Sequence, residues 1–162
     1  MAEKEQKMDK MEKANLFLEY MIEYLDTCVG RVVDAGPRAE AAWIGRRVFA
    51  FQPHQSHFVA RAAELIRVPP HVSDDDAVFL AAMETAVNLV MDGKPLLGER
   101  VAVYGQGIVG LLVTFLLARF PLETLITLDL HPARRALSIE FGAHASLDPT
   151  AAEVREQLPA FL

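Results

Sequence analysis

Cysteine is nearly absent from this chain, since Cys28 is the only one among 162 residues. A single thiol excludes an internal disulfide framework, and it excludes a metal site built from several cysteines of one chain. Such cysteine usage is typical of proteins that work in a reducing compartment. We therefore expect a cytoplasmic protein.

Basic charge and long apolar runs are also scarce. The chain has 16 Lys and Arg against 22 Asp and Glu, a net charge of −6. Binding to phosphates requires clustered Lys and Arg, so we expect no nucleic-acid partner. The longest apolar run, near residues 111–118, is far too short to span a bilayer, and the charged N-terminus lacks the apolar core of a signal peptide. We expect no membrane partner. Hydrophobic residues still make up 52%, which is enough for a packed core.

The most informative pattern is Gly-x-Gly-x-x-Gly between an apolar strand and an apolar helix. The predicted strand at residues 100–104 runs into Gly105, Gly107 and Gly110, and the helix follows from Leu111. The first glycine permits a tight turn, the second lets the backbone approach a pyrophosphate, and the third allows the helix to pack closely on the sheet. The positive end of the helix dipole would face the diphosphate. This order is typical of a dinucleotide-binding crossover.

An acidic residue at the end of the next strand supports this interpretation. The strand at residues 125–128 ends on Asp129, which lies 19 residues past Gly110. A carboxylate at about this spacing accepts hydrogen bonds from the adenosine ribose hydroxyls. The alternative is a purely structural strand–helix–strand unit with an exposed Asp.

Helical spacing dominates the N-terminal part of the chain. Residues 1–27 are predicted as one amphipathic helix, with an apolar stripe of Met11, Ala14, Leu18, Met21 and Leu25. The helix either packs on its own domain or serves as a partner or dimerisation helix.

The middle of the chain shows short strands broken by Gly and Pro, which suggests a small barrel or sandwich. The strands are predicted at residues 30–37, 46–51, 56–61 and 64–68. Ser73 is a good N-cap for a helix that runs to about Asp92. The pattern then predicts helices at about residues 132–141 and 151–158, with a brief strand at 145–147 between them.

Several ordered blocks together resemble one family. The blocks are residues 30–36 (GRVVDAG), 43–49 (WIGRRVF), 69–73 (PPHVS), 85–86 (TA), 105–110, Asp129 with Arg134, and 141–143 (FGA). In this order they are similar to the medium-chain dehydrogenase/reductase superfamily, the zinc-type alcohol dehydrogenase-like proteins. The resemblance covers about residues 29–149, as if such a protein were truncated at both ends.

The resemblance implies an α/β fold in which a partial chaperonin-10-like (GroES-like) β-barrel segment precedes the first half of a Rossmann parallel sheet. It divides the chain into an amphipathic N-terminal helix at residues 1–27 and a remnant of the catalytic barrel domain at residues 28–72. A linker helix and a partial NAD-binding Rossmann domain follow at residues 73–162.

The resemblance also implies a cofactor site. Its residues would be Gly105, Gly107 and Gly110 at the pyrophosphate, Asp129 at the adenosine ribose, Arg134 near the same end, and Thr85 beside the nicotinamide. Gln106, Ile108 and Val109 of the same turn would also bind the cofactor. Asp129 favours NAD over NADP, because a carboxylate repels a 2′-phosphate. Arg134 and Arg135 leave NADP open as the second choice.

The family's catalytic zinc is not matched by a ligand set in this sequence. A catalytic zinc needs three protein ligands and an open position, and the family's Gly-His-Glu motif is missing before Val29. Loose candidates are Cys28, His54, His57 and Glu84. Three of them cannot be assembled at matching positions, so we predict no metal site and name no catalytic residue. Glu84 is interpreted either as a carboxylate near the nicotinamide or as an exposed helix residue.

Two functions of different classes follow. The first is an oxidoreductase that transfers hydride between an alcohol or carbonyl substrate and NAD. The second is a non-catalytic dehydrogenase fragment that acts as a nucleotide-binding or assembly module. A zinc-free reductase using NADPH is a third reading, which Asp129 disfavours. We expect this chain alone to have little or no turnover, and any homo-oligomer to form through the N-terminal helix or an exposed sheet edge.

Overall fold

The structure is a computed structural model that describes residues 27–36, 41–152 and 154. The chain divides into two compact units that meet between Ala81 and Ala82. Each unit is described by itself. The helix predicted over residues 1–27 lies outside the described residues except for Thr27, and most of the helix predicted over residues 151–158 lies outside them too. The domain boundaries after residues 27 and 72 stay predictions.

The first unit contains a three-stranded antiparallel sheet. Its strands are β1 (Thr27–Arg31), β2 (Arg47–Phe51) and β3 (Ile66–Arg67), in the order β1-β2-β3. β1 pairs with β2 along its whole length, from Thr27 opposite Phe51 to Arg31 opposite Arg47. Since β2 is the central strand, the three residues in its middle are the buried ones: Val48, Phe49 and Ala50. Two short 3-10 helices, Ala41–Trp43 and Ala62–Glu64, lie in the connections.

Three of the predicted strands differ from the structure, and the one predicted at residues 64–68 is only Ile66–Arg67. The strand predicted at residues 30–37 begins three residues earlier, at Thr27, because the register with β2 extends that far and ends where the N–H of Gly45 donates to the Val32 carbonyl at 2.8 Å. The strand predicted at residues 56–61 was wrong. β2 is already paired on both edges by β1 and β3, so it offers no free edge to that segment.

Arg47 fastens the segment after β3 to the sheet. Its guanidinium donates to the carbonyl oxygens of Val72 at 2.8 Å and Pro69 at 3.0 Å, and to the Asp74 carboxylate at 2.8 Å. Ser73 then caps the helix that follows, since its Oγ accepts the N–H of Asp76 at 3.0 Å as its position in the sequence predicts.

The single helix predicted from Ser73 to about Asp92 is two helices. α1 spans Asp74–Ala77, and α2 spans Leu80–Gly93. The break comes where the N–H of Phe79 donates to the Asp76 carbonyl at 3.1 Å, three residues back. This i to i−3 bond tightens the chain out of the α-helical path.

The second unit is a parallel strand–helix–strand–helix–strand array. It consists of β4 (Arg100–Tyr104), α3 (Ile108–Leu117), β5 (Thr124–Leu128), α4 (Pro132–Glu140) and β6 (Ala145–Leu147). The strands lie in the order β4-β5-β6, with Arg100 opposite Thr124 and Ile126 opposite Ala145. β6 has the bounds that the sequence predicts. α3 begins three residues earlier than predicted, because Gly107 is its N-cap and accepts the N–H of Leu111.

The core of this unit joins both helices that flank β4 to the sheet. Its buried members are Ala86 and Val90 from α2, Val113 and Leu117 from α3, and Leu125 from β5. Among the described strands, β4 pairs with β5 alone, so the other edge of β4 carries no strand within the described residues. No helix in the described part of the chain combines the length and hydropathy needed to span a bilayer.

Candidate functional site

The glycine turn (residues 105–110) connects β4 to α3 at the carboxyl edge of the parallel sheet. Gly105 has φ +83°, a left-handed conformation that side chains with a Cβ rarely adopt. Its N–H donates to the carbonyl of Leu128 at 2.7 Å, which ties the turn to the end of β5. The turn is therefore held against the strand that leads into Asp129.

Gly110 lies where the first turn of α3 crosses the glycine turn. A Cβ at this position would be 1.8 Å from the carbonyl oxygen of Gly105 and 3.0 Å from its carbon. No real Cβ fits at such a distance, so the close approach of helix and turn requires glycine here.

Gly107 differs from both of these glycines. Its φ is −72°, which any residue can adopt, and a Cβ there would meet no described atom within 4 Å. Gly107 is the N-cap of α3, a position where glycine is favoured, and no described atom crowds it. The space over Gly107 is open, and it lies at the N-terminus of α3, where the N–H groups of Ile108, Val109 and Gly110 precede the first intrahelical bond.

Asp129 lies beside this open space, directly after β5. It is only 6% exposed, which rules out the exposed Asp of the alternative interpretation. Its Oδ1 accepts the N–H of His131 and its Oδ2 accepts the N–H of Gln106, both at 2.7 Å. The first of these bonds, with help from the second and from the charge of Arg134, holds the pKa of the carboxyl below its usual range despite its desolvation. Each oxygen of an ionised carboxylate has a second lone pair and can accept a further donor.

The two arginines after Asp129 have different environments. Arg135 turns inward, where its Nη1 donates to the carbonyls of Asp129 at 2.8 Å and Leu130 at 2.9 Å and lies 3.3 Å from the Asp148 carboxylate. Arg134 has a half-exposed side chain, and its Nη1 is 3.8 Å from Asp129 Oδ2. Of these two cations, Arg134 is the one that faces solvent at the carboxylate.

The side chains of Gln106 and Thr114 meet under the turn. Both residues are fully buried, and Thr114 Oγ1 donates to Gln106 Oε1 at 3.0 Å. Sequence reasoning counted Gln106 among the cofactor-binding residues of the turn, and the structure directs its side chain into the protein. Thr114 was not singled out at all. A signal existed, because it is the one polar residue in the helix sequence IVGLLVTFLL.

The other predicted site residues lie elsewhere. Thr85 and Glu84 are exposed on α2, and the carboxylate of Glu84 accepts a hydrogen bond from Asn88 at 2.6 Å, one turn along the helix. This agrees with the reading of Glu84 as an exposed helix residue. Cys28 lies half-buried in β1, where desolvation raises the pKa of its thiol.

The loose zinc candidates form no cluster in the structure. Within residues 27–36, 41–152 and 154, no three His, Cys, Asp or Glu side chains come together in a way that could hold a metal ion. His54 and His57 are exposed in the loop after β2. The described residues therefore do not fit a catalytic zinc.

An apolar cleft of about 480 Å³ runs along the free edge of β4. Its walls are residues of α2, β4 and α3, including Leu89, Val101, Val103 and Val113. Gly107 and Asp129 do not line it. Its lining does include Gly105, Val109 and Gly110, so the cleft reaches the glycine turn.

Solved structures share this architecture. A short-chain alcohol dehydrogenase of Escherichia coli CFT073, complexed with NADH, matches 82% of this chain and 48% of its own, with a TM-score of 0.66 and 20% identity. Over the part that it covers, the chain shares the fold of this alcohol dehydrogenase. A zinc-dependent alcohol dehydrogenase of Streptococcus pneumoniae matches to the same extent. A mycobacterial protein complexed with NADPH is 26% identical, with a TM-score of 0.61 over 83% of this chain and 45% of its own.

These matches confirm the predicted resemblance to alcohol dehydrogenase-like proteins and the predicted α/β fold class, in which a small antiparallel sheet is followed by a three-stranded parallel sheet. The chain spans about half the length of the solved structures described above. No family model matches it, and neither does any curated protein.

Proposed function

We propose that the chain binds the adenosine diphosphate end of a nicotinamide dinucleotide at the glycine turn, as part of an alcohol dehydrogenase-like oxidoreductase. The observation that carries the proposal is the open space over Gly107. Conformation accounts for the glycine at 105 and packing accounts for the glycine at 110. The glycine at 107 stands at the N-cap of α3 with open space above it, where a diphosphate would approach the backbone.

The diphosphate would lie over Gly107 at the N-terminus of α3. The N–H groups of Ile108, Val109 and Gly110 have no helical acceptors, and the positive end of the helix dipole favours an anion there. This part of the site requires backbone groups only. It tolerates the apolar side chains of residues 108 and 109, of which Ile108 is half-exposed.

The adenosine ribose would lie over Asp129. The lowered pKa of Asp129 keeps its carboxylate ionised at neutral pH, and each carboxylate oxygen retains a lone pair for a ribose hydroxyl. A 2′-phosphate would face this charge, with Arg134 as the exposed cation beside it, since Arg135 is engaged by carbonyls and Asp148. We therefore propose NAD as the preferred cofactor over NADP.

The chemistry that the bound nicotinamide supplies is hydride transfer, and a small alcohol or carbonyl compound is the proposed substrate class. We also propose that Thr85 lies beside the nicotinamide and that the domain boundaries fall after residues 27 and 72. Any homo-oligomer would form through the edge of β4. No described residue is assigned a catalytic role.

Replacing Gly107 with leucine tests the site. A Cβ at position 107 meets no described atom within 4 Å, so Gly107→Leu should fold with only a small drop in melting temperature from the weaker N-cap and should lose NADH binding in a fluorescence titration. Gly36→Leu is the matched control, because a Cβ at that exposed glycine is also unobstructed, and it should bind NADH like the wild type. Equal NADH affinity in Gly107→Leu and wild type would refute the assignment.

A further inference from the structure

The space beneath the glycine turn is polar where the fold could have been apolar. Gln106 and Thr114 are both fully buried, at the point where α3 packs against the turn. Burying an amide and a hydroxyl stabilises a protein only if their hydrogen bonds are all made, and an apolar pair of similar shape would fill the space at no such risk. The polar pair therefore calls for a reason other than packing.

The hydrogen bonds of the pair fix the orientation of one side chain. Gln106 Nε2 donates to the carbonyls of Gly105 at 3.2 Å and Val103 at 3.3 Å. Thr114 Oγ1 donates to Gln106 Oε1 at 3.0 Å. Since a hydroxyl donor faces the amide oxygen, the amide NH₂ is directed to the two carbonyls of the strand end and the turn.

The backbone of the same residue is tied to the carboxylate. The Gln106 N–H donates to Asp129 Oδ2 at 2.7 Å. One residue thus connects the end of β4, the helix α3 and Asp129 through bonds that lie inside the protein.

We propose that Gln106 and Thr114 are positioning residues of the dinucleotide site. Together they hold the glycine turn, and Asp129 beside it, in the geometry that receives a diphosphate and a ribose. The proposal rests on the proposed function and extends it, because it gives the binding role of residue 106 to a buried side chain that touches no ligand.

Losing the hydrogen bond between Gln106 and Thr114 should lower the fraction of molecules whose turn has the binding geometry. A ligand that binds one geometry has its apparent affinity reduced by the fraction of molecules in that geometry. In Thr114→Val the amide of Gln106 loses the donor that orients it, and its buried oxygen is left unpaired. We expect the affinity for ADP to fall by up to about tenfold, the limit reached when the full cost of one unsatisfied buried group is borne by the binding geometry.

Two variants serve as controls. Thr114→Ser keeps the hydroxyl donor and should bind ADP nearly as well as the wild type. Thr127→Val removes the fully buried hydroxyl of a threonine in β5, whereas Thr114 lies in α3. The Thr127 hydroxyl bonds Ser138 and Ser146, each at 2.7 Å, and is not part of the turn. Thr127→Val should lower the melting temperature and leave ADP affinity unchanged.

The test combines calorimetric ADP titration with amide hydrogen exchange of the free proteins. Thr114→Val should bind ADP more weakly, and the Gly105 and Gln106 amides should exchange about tenfold faster than in wild type while amides of β6 do not change. Unchanged exchange at these two amides, or equal loss of affinity in Thr127→Val, would overturn the positioning role. Absence of ADP and NADH binding to the wild type would instead overturn the proposed function, and exchange would still decide whether the pair orders the turn.

Discussion

Gly110→Ala is the sharpest structural perturbation of the turn. The added methyl carbon would lie 1.8 Å from the Gly105 carbonyl oxygen and 3.0 Å from its carbon. Carbon–oxygen contacts in proteins are ordinarily about 3.3 Å or longer, so helix and turn would have to separate by roughly 1.5 Å. The obstructing atom belongs to the backbone, and Gly105 is itself held by its bond to Leu128. No side-chain rotation can relieve the contact.

The free energy follows from two opposing effects. Overpacking of this kind costs up to about 3 kcal/mol, or occasionally more, in well-packed proteins. Replacing a helical glycine by alanine offsets about 1 kcal/mol of this through propensity. We therefore expect Gly110→Ala to lower the free energy of unfolding by about 2 kcal/mol.

Urea unfolding followed by circular dichroism measures this difference. Gly93→Ala is the matched control, because a Cβ at the last residue of α2 meets no described atom within 4 Å, and it should be as stable as the wild type or slightly more stable. If Gly110→Ala unfolds at the same urea concentration as the wild type, the close crossing of α3 and the glycine turn is refuted.

Two further predictions concern charged groups. Asp129→Asn leaves one of two backbone N–H groups without its acceptor and should cost about 2 kcal/mol at neutral pH. Folding lowers the pKa of Asp129, so the stability lost in Asp129→Asn should be largest above the unfolded pKa, near 4, and should shrink as the pH falls through the folded pKa. If acid unfolding shows the same loss of stability at every pH, this prediction is contradicted. Arg47→Met should lower the free energy of unfolding in urea by about 2 kcal/mol. The Arg47 side chain is only 21% exposed and donates to the Asp74 carboxylate and to the carbonyls of Pro69, Pro70 and Val72. Arg61→Met, whose 87% exposed side chain pairs with Glu64, should change stability little, and equal losses in the two arginine variants would argue against the role given to Arg47.

The parts of the fold that sequence predicted correctly depend on local chemistry. The strand, glycine turn and helix at residues 100–117 follow from spacing that the backbone itself requires, namely a positive φ at Gly105 and a close crossing at Gly110. The Ser73 cap and the strand Ala145–Leu147 are equally local. The position of Asp129 in the sequence could be predicted because the length of one crossover helix sets how many residues separate it from the glycine turn.

The parts that were missed depend on partners distant in the sequence. The start of β1 at Thr27 is set by its register with β2, and the segment at residues 56–61 finds no free edge on that strand. The sequence places Gln106 in the turn but does not show that its side chain points inward. That orientation depends on Thr114, eight residues along the chain, whose hydroxyl donates to the Gln106 amide oxygen. Local patterns carry no information about either pairing.

The most direct measurement is a titration of the wild-type chain with NADH, followed by fluorescence and repeated in the presence of ADP. The account predicts saturable binding at one site, competition by ADP, and weaker binding of NADPH because of the charge of Asp129. No saturation with NADH up to about 1 mM would contradict the central claim that the glycine turn holds a nicotinamide dinucleotide.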